Sequence, residues 1–540
     1  VPEQPSQKHV PDILNCLAQL SNDEVPTPPK LARAMLDILP SDVWSNPTLK
    51  WLDPFCKSGV FLREIAARLL DGLAEWQPSF AKRREHVYQN MLFGTSITEM
   101  TGIISRRTVY CSRDASSEHS IVRFDNEAGN IPYVPSEHIF GKDGKTKTCD
   151  VCGAPSDLER GAKRENYAYS LIHGTYPTKE MKNMKFDVIV GNPPYQIGTD
   201  GYGATASTVY HRFVSAAIKL APRFVLMITP SRWFTGGKGL DEFRERMIAD
   251  RRLRTIVDNP KLFDCFPGVE IKGGVSYFLW DRQHDGDCQF STRIDGDIVS
   301  TTQRDLREGD GILIRDNRAV RIIHKVRAQT KASAAEWCST RKPFGLNMFS
   351  NYAGSVPVPF DGAIPLIYGN RVGYCRPDQI ERNHKWINKW KVLIPKAGDG
   401  HGRQVSYVLG EPIALAPGSA CTQTYLIAGM FKNAKETENY AFYLASKFVR
   451  FLVLQRKVTQ DVTPDRFRFV PQLDMNRRWT DEDLYKHFGL TPDESDYIES
   501  TIQPRSVNLS LGSPIPASHL PGGRKYSTNA VPEDPDEEDD

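Results

Sequence analysis

The chain has 540 residues, 40% hydrophobic and 25% charged, with nine tryptophans and ten thinly spread cysteines. That length leads us to expect two or three domains with sizeable cores. No apolar run of about 18 residues exists to span a membrane, and isolated cysteines fit a reducing cytoplasm better than a disulfide framework. The formal charge of +3 is asymmetric: the last ten residues, VPEDPDEEDD, hold seven carboxylates and leave +10 on the other 530, a balance compatible with nucleic-acid binding.

The first twenty residues lack a basic patch followed by an apolar stretch and do not read as a secretory signal. Residues 11–39 read as helices, the last of them opening at the proline-rich turn of PTPPKLARAMLDILP. LKWLDPFCKSGVFLREIAARLLDGL reads as a short strand over 49–52, a tight turn and a helix, and a second strand is expected at 91–94. FDVIVGNPP is a strand, TVYHRFVSAAIKLA a helix and RFVLMITP a buried strand; the helix GLDEFRERMIADRRL then leads into the strands RTIVDNP and GGVSYFLW. This alternation predicts a doubly wound α/β sheet over residues 1–285, with ligands held beyond the carboxyl ends of its strands. DPFCKSG and NPPYQ both fall there. From 286 to 503 irregular strands and scattered Gly, Pro and aromatic residues predict a second, mixed α+β domain. Residues 504–540, rich in Ser, Pro, Gly and acid, read as a disordered acidic tail.

MKFDVIVGNPPYQIG ends an apolar strand with an amide, two prolines and an aromatic ring. An exocyclic amine on a purine is a poor nucleophile because its lone pair is delocalised into the ring. A site that accepts two hydrogen bonds from it localises that pair. Asn192 offers a side-chain carbonyl and Pro193 a backbone one. Pro193 and Pro194 lack N–H donors and hold φ near −65°, and Tyr195 offers a flat face for a base.

DVIVGNPPYQ resembles the catalytic motif of S-adenosylmethionine-dependent amino-methyltransferases, above all the N6-adenine DNA methyltransferases of restriction–modification systems. LDPFCKSGVFL resembles their cofactor motif. The resemblance implies that Asp53, with Pro54, faces the methionine amino group, that Gly59 lets the backbone approach the cofactor, and that Phe61 packs nearby. VPTPPKLARAML resembles the preceding segment, where Thr27 and Pro28 help hold the methionine end. FVLMITPSRWF and EIKGGVSYFLW resemble the later strand motifs, with Tyr277 or Phe278 near the target base. The order, with cofactor motifs first, catalytic motif next and variable domain last, is that of the gamma group. It implies a Rossmann-like methyltransferase sheet over roughly 22–282, followed by a target-recognition domain. The sequence departs from the pattern at three places. Lys57 replaces the usual first glycine of the cofactor loop. Ser96, with Glu99 one helical turn on, stands where an acid binds the ribose. Thr175 stands where the next strand, read at LIHGTYP, would end in an aspartate beside the cofactor adenine.

About 70 residues, 99–168, form an insertion that needs its own means of staying ordered. KTCDVCGAP gives Cys149 and Cys152 the turn spacing of a zinc knuckle. Cys111 and His138 are the expected remaining ligands and His119 the substitute; two reduced thiols in a turn are the alternative. Asp258, Glu270 and Lys272 have a nuclease-like spacing, but they overlap the strands that complete the sheet, so the structural role is preferred. KFVRFLVLQRKVTQDVTPDRFRFVP mixes basic and aromatic residues, as a DNA-contacting surface would; a core helix accounts for Phe448, Phe451 and Leu452 equally well.

The expectation is therefore a cytoplasmic, sequence-specific DNA adenine-N6 methyltransferase of a restriction–modification or defence system. It would bind S-adenosylmethionine and double-stranded DNA, with a structural zinc ion and a nuclease or helicase subunit as further associates. Methylation of another amine (cytosine N4, an RNA base or protein glutamine) and a DNA-binding modification subunit without turnover remain the alternatives.

Overall fold

Asp187 opens the central strand by accepting the backbone N–H of Lys50 on its carboxylate at 2.9 Å. The apolar run behind it, Val188–Gly191 (β3), ends where Pro193 and Pro194 have no N–H to continue a ladder. In this computed structural model the residues described are 25–141, 148–154, 169–178, 181, 184–197, 207–237, 239–261, 264–266, 269, 271, 273–346, 356–369, 371–398, 407–457 and 461–509. The helix expected over 11–24, Glu270 and Lys272, and residues 510–540 of the acidic tail lie outside them.

The chain divides into two compact units, Val1–Leu313 and Ile314–Asp540. In the first, the strands are Trp51–Cys56 (β1), Leu92–Ser96 (β2), β3, Gln196–Ile197 (β4), Ser207–Thr208 (β5), Phe224–Pro230 (β6), Leu253–Asn259 (β7), Val275–Asp281 (β8), Cys288–Ile294 (β9) and Asp297–Arg304 (β10). Its helices are Pro29–Leu36 (α1), Val60–Gly72 (α2), Phe80–His86 (α3), Glu99–Tyr110 (α4), Ser170–His173 (α5), Tyr210–Lys219 (α6) and Asp241–Ala249 (α7).

Eight strands form one sheet in the order β10-β9-β7-β8-β6-β3-β1-β2. The pairs β1–β2, β1–β3, β3–β6 and β7–β9 are parallel, while β8 runs antiparallel between β6 and β7. Alternate side chains supply two cores. Trp51, Val188, Val190, Leu226 and Leu279 face α1 and α2, and Leu52, Ile189, Val225, Phe278 and Trp280 face α6 and α7. Helices on both faces make the sheet doubly wound, as the alternation of elements predicted. The chain leaves β1 toward β2 and returns to the other side of β1 as β3, so the topological switch point lies between β1 and β3.

Four differences from the sequence reading have local causes. β1 runs on through Asp53 and Pro54 to Cys56, because a register shift after Asp53 accommodates the proline. LIHGTYP is not a strand: Ser170–His173 makes one helical turn closed by Gly174 at φ 75°. The edge beside β2 is taken by residues 130–133, which accept the N–H groups of Gly94 (2.9 Å, on Asn130) and Ser96 (3.1 Å, on Pro132). The expected boundary at 285/286 falls inside the sheet, because β9 and β10 extend it.

The second unit holds two three-stranded sheets. Ile364–Tyr368 (β11), Arg371–Cys375 (β12) and Ala420–Cys421 (β15) form one, and Trp390–Pro395 (β13), Ile413–Leu415 (β14) and Tyr425–Phe431 (β16) the other. Its helices are Asn317–Gln329 (α8), His384–Ile387 (α9), Ala434–Ala445 (α10), Lys447–Leu454 (α11), Asp481–His487 (α12) and Pro492–Thr501 (α13). Ser446 breaks α10 from α11 and caps α11 by accepting the N–H of Val449. The basic stretch expected as a DNA surface is largely interior. Phe448, Phe451 and Leu452 are fully buried; Arg450 is too, its Nε donating to the carbonyls of Ala445 and Ser446, and Arg456 pairs with Asp465 at 3.0 Å. Asn508, inside the expected tail, pairs with Ile413. Among the described residues no helix is long and apolar enough to cross a membrane.

Candidate active site and cofactor recess

Asp53 on β1 and Asn192 at the end of β3 stand on adjacent strands at the switch point. Asn192 is 3% exposed. Its Nδ2 donates to the backbone carbonyl of Val25 (3.0 Å) and to Oγ1 of Thr27 (3.2 Å), while its Oδ1 is buried with no partner. The two acceptors fix the amide orientation, since a flipped amide would set Oδ1 against the Val25 carbonyl. The strand end thus presents a held, unfilled acceptor. Thr27, expected at the methionine end of the cofactor, anchors the Asn192 amide through this contact.

Gly191 leaves room for this arrangement: a Cβ there would come within 2.7 Å of the Phe55 ring and 3.1 Å of Asp53 Oδ1. Asp53 Oδ1 accepts the N–H of Phe55 at 3.0 Å. Burial pushes its carboxyl up to about 7, opposed by that hydrogen bond, by Cys56 and by the Lys57 charge. Lys57 does not project into the loop mouth; its Nζ reaches back to the Val25 carbonyl at 3.4 Å. Gly59 caps α2 at φ 75°, and a Cβ there would meet the Ser105 carbonyl at 3.0 Å. On the side a Cβ would occupy, its close approach is to α4. Phe61 is buried in the core under α1 and α2, so it supports the loop from behind.

The Tyr195 ring is partly exposed and stands edge-on to Phe266 at 6.5 Å and Tyr210 at 6.5 Å. Its hydroxyl is buried without a partner, and burial drives its pKa well above the ordinary phenol value. Tyr277 shares a core cluster with Cys265 and Phe266, while Tyr195 packs against the cluster on the opposite face. Phe278 lies in that second cluster and is fully buried. Phe266 was missed in the sequence, because an isolated Cys-Phe pair between strands carries no motif.

A narrow recess lies beyond the carboxyl ends of β1 and β2, lined by Pro54, Phe55, Ser96, Tyr169, Leu171 and Phe213 among others. Phe55 and Tyr169 both stand edge-on to Phe213, at 5.1 and 5.2 Å. Ser96 lines this recess, with Oγ 3.5 Å from the Pro132 carbonyl, and Glu99 is exposed on the first turn of α4. Thr175 is not at the recess: it is exposed, its hydroxyl bonded to that of Ser136. Asp258 is fully buried and accepts Ser231 Oγ at 2.8 Å, a structural role.

Beside the recess, His138, Cys149, Cys152 and His173 bring one ligand atom each within 4.8 Å of one another. Cys111, expected in this set, is exposed at the end of α4 with φ 63°. His119, the substitute, lies 3.8 Å from Glu118 on the surface. His173 takes the vacant place. Burial, followed by the neighbouring His138, holds the His173 imidazolium down to about 4, so the ring is neutral at pH 7. Burial works against the Cys149 thiolate, yet N–H donors from Cys152, Ile139 and Val151 prevail and hold its thiol below the ordinary value. Cys152 is pushed up to about 12 by burial and by Cys149.

A doubly wound sheet carrying Asn-Pro-Pro-Tyr at its switch point, next to a buried aspartate on the neighbouring strand, defines the Rossmann-like methyltransferase class. Residues 90–266 match the family model of the Eco57I restriction-modification methylase. An uncharacterized adenine-specific methylase of Mycoplasma pneumoniae is 38% identical over 308 residues, covering 52% of this chain and 72% of the relative. The chain belongs to this family of adenine-specific methylases of restriction–modification type. Among solved structures, a modification subunit of a putative type I restriction enzyme from Vibrio vulnificus YJ016 is 16% identical, with 51% of this chain and 48% of that one covered and a TM-score of 0.31. The DrdV–DNA complex is 13% identical, with 88% and 56% covered and a TM-score of 0.43. The chain spans about half the length of these solved structures.

Proposed function

We propose that this chain transfers a methyl group from S-adenosylmethionine to the N6 amine of an adenine flipped out of double-stranded DNA, within a restriction–modification system. The observation that carries the reading is the Asn192 amide, locked through Nδ2 and leaving Oδ1 buried and unfilled. A buried acceptor without a donor is costly, and an aromatic amine supplies the missing N–H. The Pro193 carbonyl is the second acceptor, and together they localise the amine lone pair toward the methyl donor. Tyr195 stacks on the base, with Tyr277 and Phe266 forming the wall behind it. Flipping is required because a stacked adenine cannot bring N6 to a buried site.

The residues present fit the cofactor. Asp53 is a buried carboxyl whose ionised form the methionine ammonium would stabilise beyond what Lys57 supplies, and the aromatic recess at Phe55, Tyr169 and Phe213 takes the adenosine end beside Ser96. When bound, S-adenosylmethionine supplies an electrophilic methyl on a sulfonium centre. Asn192 and Pro193 orient the attacking amine and hold its developing charge. No strong base is needed, because the amine turns acidic only as it becomes methylated. The second unit is read as the target-recognition domain, a nuclease or helicase as the partner, and the cytoplasm as the site of action.

Nucleoside mass spectrometry of unmethylated DNA incubated with the protein and the cofactor tests this. N6-methyladenine is the expected product. N4-methylcytosine, or label on RNA or protein alone, would overturn the choice of substrate. Absence of cofactor binding by calorimetry would favour a modification subunit without turnover.

A further inference from the structure

The cluster beside the recess is built as a metal site. A two-residue β-bridge between Phe140 and Cys149 leads into a tight turn in which Gly153 N–H donates to the Cys149 carbonyl and Cys149 N–H to the Ala154 carbonyl, both at 2.8 Å. Gly153 sits at φ 77°, a conformation that favours glycine. The Ile139 N–H donates to the Cys149 sulfur at 3.4 Å, and the Cys152 sulfur lies 3.3 Å from His138 Nδ1. A Cys-x-x-Cys-Gly turn with an N–H aimed at a sulfur is the half-site of a zinc knuckle. The other half is contributed from opposite sides: His138 from the extended segment just before the Phe140 bridge and His173 from the end of α5. The two imidazoles meet edge to face at 5.5 Å. Neither ring nitrogen of His173 makes a hydrogen bond of normal geometry to a described residue.

We propose that His138, Cys149, Cys152 and His173 hold one borderline-soft divalent cation of the zinc class, and that this ion clasps the insertion to the wall of the cofactor recess. Two sulfurs and two imidazole nitrogens are a full tetrahedral set. With metal–ligand distances of about 2.0–2.3 Å, tetrahedral donors stand about 3.3–3.8 Å apart, so donors already within 4.8 Å of one another need only a small contraction. No position is left open for water or substrate, which makes the site structural. Both sulfurs are almost fully buried, in the same core cluster as Tyr169, Leu171 and Phe55. Tyr169, Ser170 and Leu171 line the recess, and His173 ends the same helical turn. The ion therefore fixes one wall of that recess. Arg212 on α6 donates to the Val151 carbonyl of the turn, tying the knuckle to a second element of the wall that holds Phe213.

The metal claim stands independently of methyl transfer; its effect on the recess rests on the cofactor reading above. The test uses the full chain, purified with and without added zinc and assayed for metal content by mass spectrometry. One zinc per chain is expected, retained in Cys111→Ser and lost in Cys149→Ser and His173→Ala. The wild-type protein stripped by a chelator and titrated with Co²⁺ keeps the test open if those variants fail to fold. Tetrahedral d–d bands with sulfur-to-cobalt charge transfer, saturating at one equivalent, are the expected spectrum. The stripped protein should bind S-adenosylmethionine at least tenfold more weakly and recover on zinc addition. No metal uptake, retention of metal in His173→Ala, or a Cys149–Cys152 disulfide in the purified protein overturns the site. Metal binding with unchanged cofactor affinity overturns the clasp, and metal binding with no cofactor affinity in any form would instead fault the cofactor reading.

Discussion

Replacing Asn192 with alanine separates what the amide does for the fold from what it does for the reaction. Asn192→Ala deletes two buried hydrogen bonds, Nδ2 to Val25 at 3.0 Å and to Thr27 at 3.2 Å. At about 1 kcal/mol net for each, the expected loss of stability is about 2 kcal/mol, or a fall in melting temperature on the order of 4 °C for a unit of this size. The loss at the reaction is larger. Removing one preorganised polar group that acts on developing charge costs roughly 10²–10³ in rate, about 2.7–4 kcal/mol. The assay is single-turnover methylation with cofactor and DNA both saturating, alongside a thermal melt and DNA binding by anisotropy. The variant should melt a few degrees early, bind DNA within about threefold of the wild type, and transfer methyl at least a hundredfold more slowly. A single-turnover rate within tenfold of the wild type, in protein that melts as expected, would refute the role given to Oδ1. Thr27→Val removes one of the two anchors and leaves the other, so it should lose about 1 kcal/mol, roughly fivefold in rate. An effect on cofactor affinity alone would return Thr27 to the methionine end.

The Asp53 carboxyl, held up to about 7 by burial, should make cofactor affinity rise as pH increases toward 7, because the ionised form is the one that meets an ammonium. In the same range the fold should lose stability, since the folded state keeps the proton that the unfolded chain releases near 3.9. Asp53→Asn should bind the cofactor weakly and with a flat pH profile, measured by calorimetry from pH 5.5 to 7.5; an unchanged slope would remove Asp53 from cofactor binding. Tyr195→Phe discards a buried hydroxyl without a partner and should transfer methyl within about threefold of the wild type, while Tyr195→Ala loses stacking worth about 1–3 kcal/mol per base. Equal rates in the two variants would exclude stacking. Gly191→Ala places a methyl 2.7 Å from the Phe55 ring and should displace β3 from β1, destabilising the fold by roughly 1–3 kcal/mol; a wild-type melting temperature would contradict that contact.

The sheet and the catalytic motif were legible because their signals are contiguous. Asn192, the prolines and Tyr195 must follow one another at the end of a strand, and Asp53 must lie on the neighbouring one. Contacts made by separate segments were not legible. The anchoring of Asn192 by Val25 and Thr27 spans more than 160 positions, and the aromatic recess joins Phe55, Tyr169 and Phe213 from three elements. LIHGTYP misled because a short apolar run does not distinguish a strand from a helical turn. The true edge over 130–133 is hidden by Pro132, which cannot donate to a ladder. The knuckle cysteines were visible as a pair, but the fourth ligand is set by where α5 ends, which placed His173 rather than Cys111 in the cluster. Arg450 shows the reverse error: a charge in a basic stretch reads as surface, yet it is buried in the core and donates to three backbone carbonyls there.

The most direct measurement of the central claim is single-molecule sequencing of adenine-unmethylated genomic DNA after incubation with the purified chain and S-adenosylmethionine, run beside Asn192→Ala. The account predicts N6-methyladenine at one recurring sequence motif with the wild-type chain and none above background with the variant. Modified bases of another kind, or equal adenine methylation by both proteins, would contradict it.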